Sequence, residues 1–527
     1  MKKSIIKAGM LMLGLLSMAS CSDPMDEITS MIFDRNFSPV NFEATGITKD
    51  GATFRWTPTA GATSYVLQIF EDDNLEFKGE PRLVIAGISG SEIPYTVDGL
   101  IYDTDYSARI MAVDDNDEKR NSKWSEVAFH TNAQQIFKSV ANADIADRSV
   151  VMHWPEGEAV TTIVAVKAET GDTVTVKQLS ESEIEAGNAM VDGLEPSTKY
   201  EVLLYNGKKE RGSKVFTTIA DLNGAVVVRK GDDFKTLLLN AEEGSVFALM
   251  PGTFQILGED GGTSAVAINT SIEIKGVYPT ETPVIQGRFE INNGASLVID
   301  NIIFDGSTNE TTDQLFNFKT ADAVYGKLIV TNSEIKNYGK GVYYLNVAST
   351  VQELTFRNCL IHDIVCDGGD MFDCRKGRID ALNFLQCTIY NSAASRDFIR
   401  MDDASALGGN PVITVDKCTI DGAANGGKRL LYVRYVGNVI NWTNNIVTNT
   451  GAVWSNQSKT AVPTFQNNVY FNCAKLNIAD VEGKTNMFAD EAGKEADPQY
   501  KDAANGDFTV GNESVSKLDV GDPRWIK

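Results

Sequence analysis

The sequence is short of several things, and each shortage excludes a class of protein. Histidine is nearly absent: His130, His153 and His362 are the only three in 527 residues. That is too little material for histidine-based metal cages or triads. Bases are in deficit, with 48 Lys and Arg against 71 Asp and Glu and a formal charge of -23. A general nucleic-acid binder needs a net basic face, so no nucleic-acid partner is expected. Long apolar runs are missing beyond the extreme N-terminus, so no mature transmembrane helix is expected. Cysteines number 7, an odd count. What is present is globular in texture, with 43% hydrophobic and 23% charged residues. At about 150 residues per domain, the length suggests three or four domains.

The first twenty residues read as an address. Lys2, Lys3 and Lys7 form a basic start, and residues 8–20 form an apolar stretch too short to span a bilayer. Ala19 and Ser20 are small and precede Cys21. This resembles a bacterial lipobox, and the short, polar and acidic stretch 22–27 resembles the surface-export signal of Bacteroidetes lipoproteins. The resemblance implies lipidation of Cys21 and an outer-membrane anchor at the cell surface, with residues 21–38 as a linker. The alternative is an ordinary secretory signal with a chance cysteine. Six cysteines remain for the fold.

Residues 39–132 show short alternating strands separated by Gly, Pro, Asn and Asp turns. Trp56 lies on an early strand, and Leu100, Thr104 and Tyr106 open a later one. Residues 133–220 repeat these anchors as Trp154, Leu194 and Tyr200. The pattern resembles two fibronectin type III sandwiches, which makes Trp56 and Trp154 core residues. His130 and His153 read as strand residues. The acidic loops 71–74 and 114–118 lack the spacing of an EF-hand and read as solvated.

Near residue 221 the texture changes. Asp232 and Asp233 cap a short helix with Phe234, Leu237, Leu238 and Ala241 on one face, of the kind that caps a solenoid. One phrase then recurs: an apolar alternation, a polar residue, a small residue and an apolar pair. The polar position is Asn301, Asn332, Asn358, Gln386, Lys417, Asn444 and Asn467, at steps of 31, 26, 28, 31, 27 and 23 residues. Such a period predicts a parallel β-helix, with Asn at the bends because it tolerates left-handed backbone. Cys359, Cys387 and Cys418 fall in one column and should point inward as small hydrophobes. Residues 221–527 resemble the right-handed parallel β-helix of pectate lyases and related carbohydrate-active proteins. The expected fold is therefore all-β, two sandwiches followed by a right-handed parallel β-helix.

A further strand recurs in each turn, at 316–319, 343–346, 372–375, 399–402, 431–434 and 454–457. Its first and third positions are mostly apolar and should face the core. The second and fourth then face out: Asn317, Lys319, Tyr344, Asn346, Asp373, Arg375, Arg400, Asp402, Tyr432, Arg434, Ser455 and Gln457. Residues 314–460 hold 13 acids and 15 bases, so this part of an acidic chain is locally not acidic. Arginines suit uronate carboxylates or sulfates, and tyrosines stack on sugar rings. The leading expectation is a surface protein that binds an acidic polysaccharide through Tyr344, Asn346, Asp373, Arg375, Arg400, Asp402, Tyr432 and Arg434. Other glycan-uptake proteins are its expected neighbours. The plainer alternative is a solvated face with Arg375–Asp402 and Arg400–Asp373 pairs. The lyase resemblance implies a third reading: Arg400 as base in a β-elimination, with Asp373, Asp402 and Asp403 cradling Ca2+. These acids are interleaved with arginine rather than clustered, a departure from that family. A structural or protein-binding surface protein is the fourth. His362 reads as a surface residue.

Overall fold

The computed structural model describes residues 34–309 and 313–527. Cys21 and the expected signal segment lie outside the described residues. No helix among the described residues is long and apolar enough to cross a membrane. The described chain is all-β and divides into two compact units, one holding the first sandwich and the other the second sandwich and the solenoid.

In the first sandwich a three-stranded and a four-stranded sheet enclose Trp56, Leu67, Tyr106 and Ile110. The Tyr106 hydroxyl accepts from the Ile101 backbone N–H at 2.8 Å, and in the second sandwich Tyr200 accepts from Glu195 at 2.8 Å. Both are tyrosine corners, which explains the Leu…Thr-x-Tyr spacing in each module. Trp154 is fully buried in the second core. His130 and His153 end strands, as expected.

The second sandwich bonds to the start of the solenoid. The Tyr278 hydroxyl donates to the Ile145 carbonyl at 2.9 Å, and Arg229 donates to the Ser149 hydroxyl at 2.9 Å. The helix Phe234–Leu239 caps the coil: Asp233 accepts from the Thr236 N–H, and Phe234 and Leu238 are buried.

The solenoid consists of about nine turns and three parallel sheets. The first sheet runs in ten strands from Val226–Val228 to Thr464–Gln466, and the second in ten from Thr253–Gln255 to Lys494–Glu495. The third has seven, from Ala265–Ile268 to Leu431–Val433. All pair rung upon rung, so Leu297, Leu328, Leu354, Leu382 and Ile413 form one buried column.

The recurring polar residue is the corner between the first and second sheets. Asn301, Asn332, Asn358, Gln386, Lys417, Asn444 and Asn467 all have φ between 50° and 57°. Asparagine side chains there bond along the coil axis: Asn358 donates to the Asn332 side chain at 2.7 Å and Asn467 to that of Asn444 at 3.1 Å.

The residue after the corner faces inward. Cys359, Cys387 and Cys418 are free and fully buried. They are more than small hydrophobes. Each thiol donates to the carbonyl two residues back, Arg357, Leu385 and Asp416, at 3.3–3.4 Å. Ser333 does the same to Thr331 at 2.7 Å. Burial pushes the Cys359 and Cys418 thiols well up, so those two are inert donors rather than nucleophiles.

The third sheet ends sooner than the sequence spacing predicts. Residues 454–457 form no strand, and Ser455, expected outside, is fully buried with its hydroxyl on Thr460. The segment still bonds to the rung before it, through the Leu430 and Leu431 N–H groups to the Val453 and Trp454 carbonyls, but the chain then turns and the Met487 N–H takes the Ser455 carbonyl.

The corner makes a testable demand. Asn444 sits at φ 55° and donates to Asp416 at 2.8 Å. Asn444→Val is expected to cost about 2 kcal/mol or more, from left-handed strain on a β-branched residue plus a lost hydrogen bond. Asn444→Gly keeps the backbone and is expected to cost about 1 kcal/mol. Urea unfolding of the two variants checks the ranking.

Candidate functional site

The third sheet positions the outward residues that the sequence singles out. Asn317, Tyr344, Asp373, Arg400 and Tyr432 pair in register from rung to rung. Their strand neighbours on either side, such as Phe372 and Cys374, are buried in the coil. Rungs lie about 4.8 Å apart. A second column follows the strands: Lys319, Asn346, Arg375, Asp402 and Arg434. The backbone N–H groups of Arg375, Asp402 and Arg434 each bond to the rung before.

A third column precedes the strands and escaped the sequence reading. Asp370, Asp397 and Arg429 each stand two residues before the first apolar strand residue, Phe372, Ile399 and Leu431. Simple alternation fails there because the chain bends, with Met371 and Phe372 both buried. The recurrence of charge at that offset was the available signal.

Ion pairs and hydrogen bonds join the three columns, and the pairing differs from the expectation. Arg375 grips Asp373 on its own strand, through Nε at 3.0 Å and Nη2 at 2.8 Å. Arg400 grips Asp402 on its own strand at 2.8 and 3.0 Å and reaches back to Asp370 at 2.9 Å. Arg434 shares Asp402 at 2.9 Å, and Arg429 pairs with Asp397. The expected cross-rung pairs, Arg375–Asp402 and Arg400–Asp373, are replaced because residues two apart on a strand already face the same way. Asp373, expected outside, is fully covered by this clasp.

The aromatic rings sit within the same network. The guanidinium carbons of Arg429, Arg434 and Arg400 lie 4.8, 5.2 and 5.3 Å from the Tyr432 ring centre. That of Arg375 lies 5.5 Å from the Tyr344 ring centre. These are cation–π distances, so the arginines are held by rings as well as by carboxylates. Asn346 is half-buried at the end of its rung.

Electrostatics follow from burial and pairing. Burial pushes the Asp373 and Asp397 carboxyls up, against the pull of Arg375 and Arg429. Burial also acts to raise Asp402, but Arg400 and Arg434 outweigh it and hold that carboxyl down. Burial alone would lower Arg400; hydrogen bonds to Asp402 and Asp370 reverse this and push it up. Arg400 is thus locked as a guanidinium with no lone pair to accept a proton. This opposes the expected role as an elimination base.

The calcium cradle is not assembled either. Asp373 and Asp402 are spent on arginine. Asp403 is exposed and bonds Lys459 at 2.6 Å and Ser405 at 2.7 Å, which hold it down to about 2. Among the described residues no three His, Cys, Asp or Glu gather as metal ligands.

His362, expected at the surface, is buried. Its Nε2 meets Glu334 at 3.0 Å, its Nδ1 meets Asp363 at 2.7 Å, and its ring stacks on Tyr390 at 4.6 Å.

Three family models match parts of the chain. Residues 37–128 match the fibronectin type III domain, residues 252–392 a domain of unknown function (DUF4957) and residues 413–525 another (DUF5123). No curated protein matches. Among solved structures, the chain is similar to a two-domain fibronectin type III segment of chicken tenascin. The two are 18% identical over 35% of this chain and 99% of that one, with a TM-score of 0.25. It is also similar to the FN1–FN3 domains of chicken CNTN1, 15% identical over 35% of this chain and 65% of that one, with a TM-score of 0.16.

The His362 clasp generates a pH prediction. The His362 hydrogen bond, with help from Lys336, holds Glu334 down to about 2, below its usual 4.5. Its contribution is therefore complete above pH 4.5 and is lost as pH falls towards 2. Burial acts to lower His362, but Glu334 and Asp363 raise it above 6.5. That contribution is complete below pH 6.5 and is lost as pH rises through the folded value. Glu334→Gln is expected to flatten both limbs, removing on the order of 2 kcal/mol near pH 5. Denaturant unfolding across pH 2–9 reads this out.

Proposed function

We propose that this is a cell-surface binding protein that recognises an acidic polysaccharide, a pectin-like uronan or a glycosaminoglycan, along the third sheet of its solenoid. A fibronectin type III module joined to a β-solenoid supports the coarser part of this reading, an extracellular surface or binding protein. The finer part rests on one observation. Arg375, Arg400 and Arg434 stand on successive rungs of one sheet face, each fixed by aspartate, with Tyr344 and Tyr432 beside them.

Fixed arginines are suited to a chain-like ligand. Ordering long side chains on binding is costly, and here the ion pairs have already ordered them. Arg375 and Arg434 spend Nε and Nη2 on aspartate. Their Nη1 edges remain for a carboxylate or sulfate. Four aspartates balance four arginines, so binding comes from many aligned contacts rather than from a strong net field. The tyrosine rings add stacking surface for sugars.

The remainder of the proposal concerns the cell. Lipidation at Cys21 would place the protein on the outer membrane of a Bacteroidetes-type cell, with the sandwiches as spacers. Other glycan-uptake proteins would be its neighbours. Pectate-lyase-like ancestry of the solenoid fits this setting without requiring turnover.

Affinity electrophoresis through polygalacturonate, heparin, chondroitin sulfate and neutral glucan gels tests the reading. The wild type is expected to be retarded by an acidic glycan and less so as salt rises. Arg400→Ala and Tyr432→Ala are each expected to weaken retardation about tenfold or more. Unsaturated products, followed by ultraviolet absorbance with and without calcium, are expected to be absent. Their formation, or equal migration in every gel, contradicts the proposal.

A further inference from the structure

We propose that a separate pocket on the second sheet binds a neutral sugar ring. The cavity is about 390 Å³, towards the small end of ligand sites. Its floor is Ile303, Glu334 and Leu360, the first residues of three successive strands paired in register. One wall is the corner ladder, in which Asn358 donates to Asn332 at 2.7 Å and Asn332 to Asp300 at 2.6 Å. Arg524, from the C-terminal segment, closes the pocket and donates to the Asn358 side chain at 2.6 Å and to its carbonyl at 2.9 Å.

The charges in this pocket are already neutralised. Glu334 Oε1 accepts from Lys336 at 2.7 Å and meets His362 at 3.0 Å, while Oε2 has no partner among the described residues. Asp522 lies 3.7 Å from Arg524. Glu334, with acceptor capacity left at Oε2, and Arg524, whose Nη1 lies beyond hydrogen-bond range of Asp522 at 3.7 Å, thus line one cavity with little net charge. That combination disfavours ions and suits hydroxyls, each of which donates and accepts. Leu360 and Ile303 supply the apolar surface that the C–H face of a pyranose requires.

The chain itself shows where this face is left open. The next two rungs of the same column, Thr388 and Thr419, are covered by the C-terminal segment. Thr388 donates to Asp522 at 2.7 Å and accepts from the Trp525 indole at 2.7 Å, and the Asp522 N–H donates to Thr419 at 3.0 Å. The pocket begins where that cover ends. A peptide strand is a poor occupant, because this is a sheet face and its backbone groups are spent on the rungs above and below.

This site is independent of the third sheet, and its test is arranged to keep the two apart. Saturation-transfer NMR on the full chain uses methyl glycosides of glucose, galactose and mannose as probes. At least one is expected to bind. Glu334→Gln and, as a second variant outside the His362 clasp, Arg524→Gln are each expected to weaken it about tenfold or more. Arg400→Ala is expected to leave it unchanged, whatever that variant does to acidic-glycan binding. Thermal melting confirms that each variant is folded. Binding of none of the three probes, binding that survives both pocket variants, or binding lost in Arg400→Ala overturns the proposal.

Discussion

A strand in this solenoid has no partner within its own turn. Its N–H and C=O groups are satisfied only by the turn before and the turn after, at a fixed spacing of about 4.8 Å. That constraint sets the rest. The corner between the first two sheets must fall at the same point of every turn, so the backbone is left-handed there at all seven recurring positions. Whatever follows the corner is then carried inward and stacked. Cysteine and serine serve there because each is small and can return a hydrogen bond to a carbonyl two residues back.

The same spacing turns outward residues into columns. A single arginine on a strand would be a flexible, hydrated side chain. Here Arg375, Arg400 and Arg434 recur on adjacent rungs; Arg375 and Arg400 each hold an aspartate two positions away on the same strand, Arg434 shares Asp402 of the rung before, and Tyr344 and Tyr432 stand beside them. Carboxylates fix each guanidinium from one side and rings from another. The result is a nearly neutral face whose arginines are each held by a carboxylate, the arrangement on which the proposed recognition of a repeating polymer rests. Arg400 illustrates the point: the contacts that place it also keep it protonated.

Much of this was legible in the sequence. The Asn-centred repeat identified both the coil and its corner, and the Leu…Thr-x-Tyr phrases identified two tyrosine corners. Strand parity placed Tyr344, Arg400 and Tyr432 correctly on one face. Parity failed where the backbone bends or the ladder stops. Asp370, Asp397 and Arg429 lie across a bend, and Ser455 lies beyond the last rung of its sheet. Ion-pair partners were also illegible. Choosing between a neighbour two residues along and a neighbour one rung away needs side-chain directions, which spacing does not carry. His362 was misread for a related reason: its partner Glu334 lies 28 residues away and meets it only through the coil.

The central claim is that the arginine ladder is a recognition face. A crystal structure of the protein with a bound acidic oligosaccharide, such as an oligogalacturonate, tests it most directly. The account predicts sugar density running along the rungs from Tyr343–Leu345 to Leu431–Val433, with carboxylates in hydrogen-bond contact with Arg375 and Arg434. Density for an acidic glycan bound elsewhere on the molecule, with this face bare at saturating ligand, would contradict it.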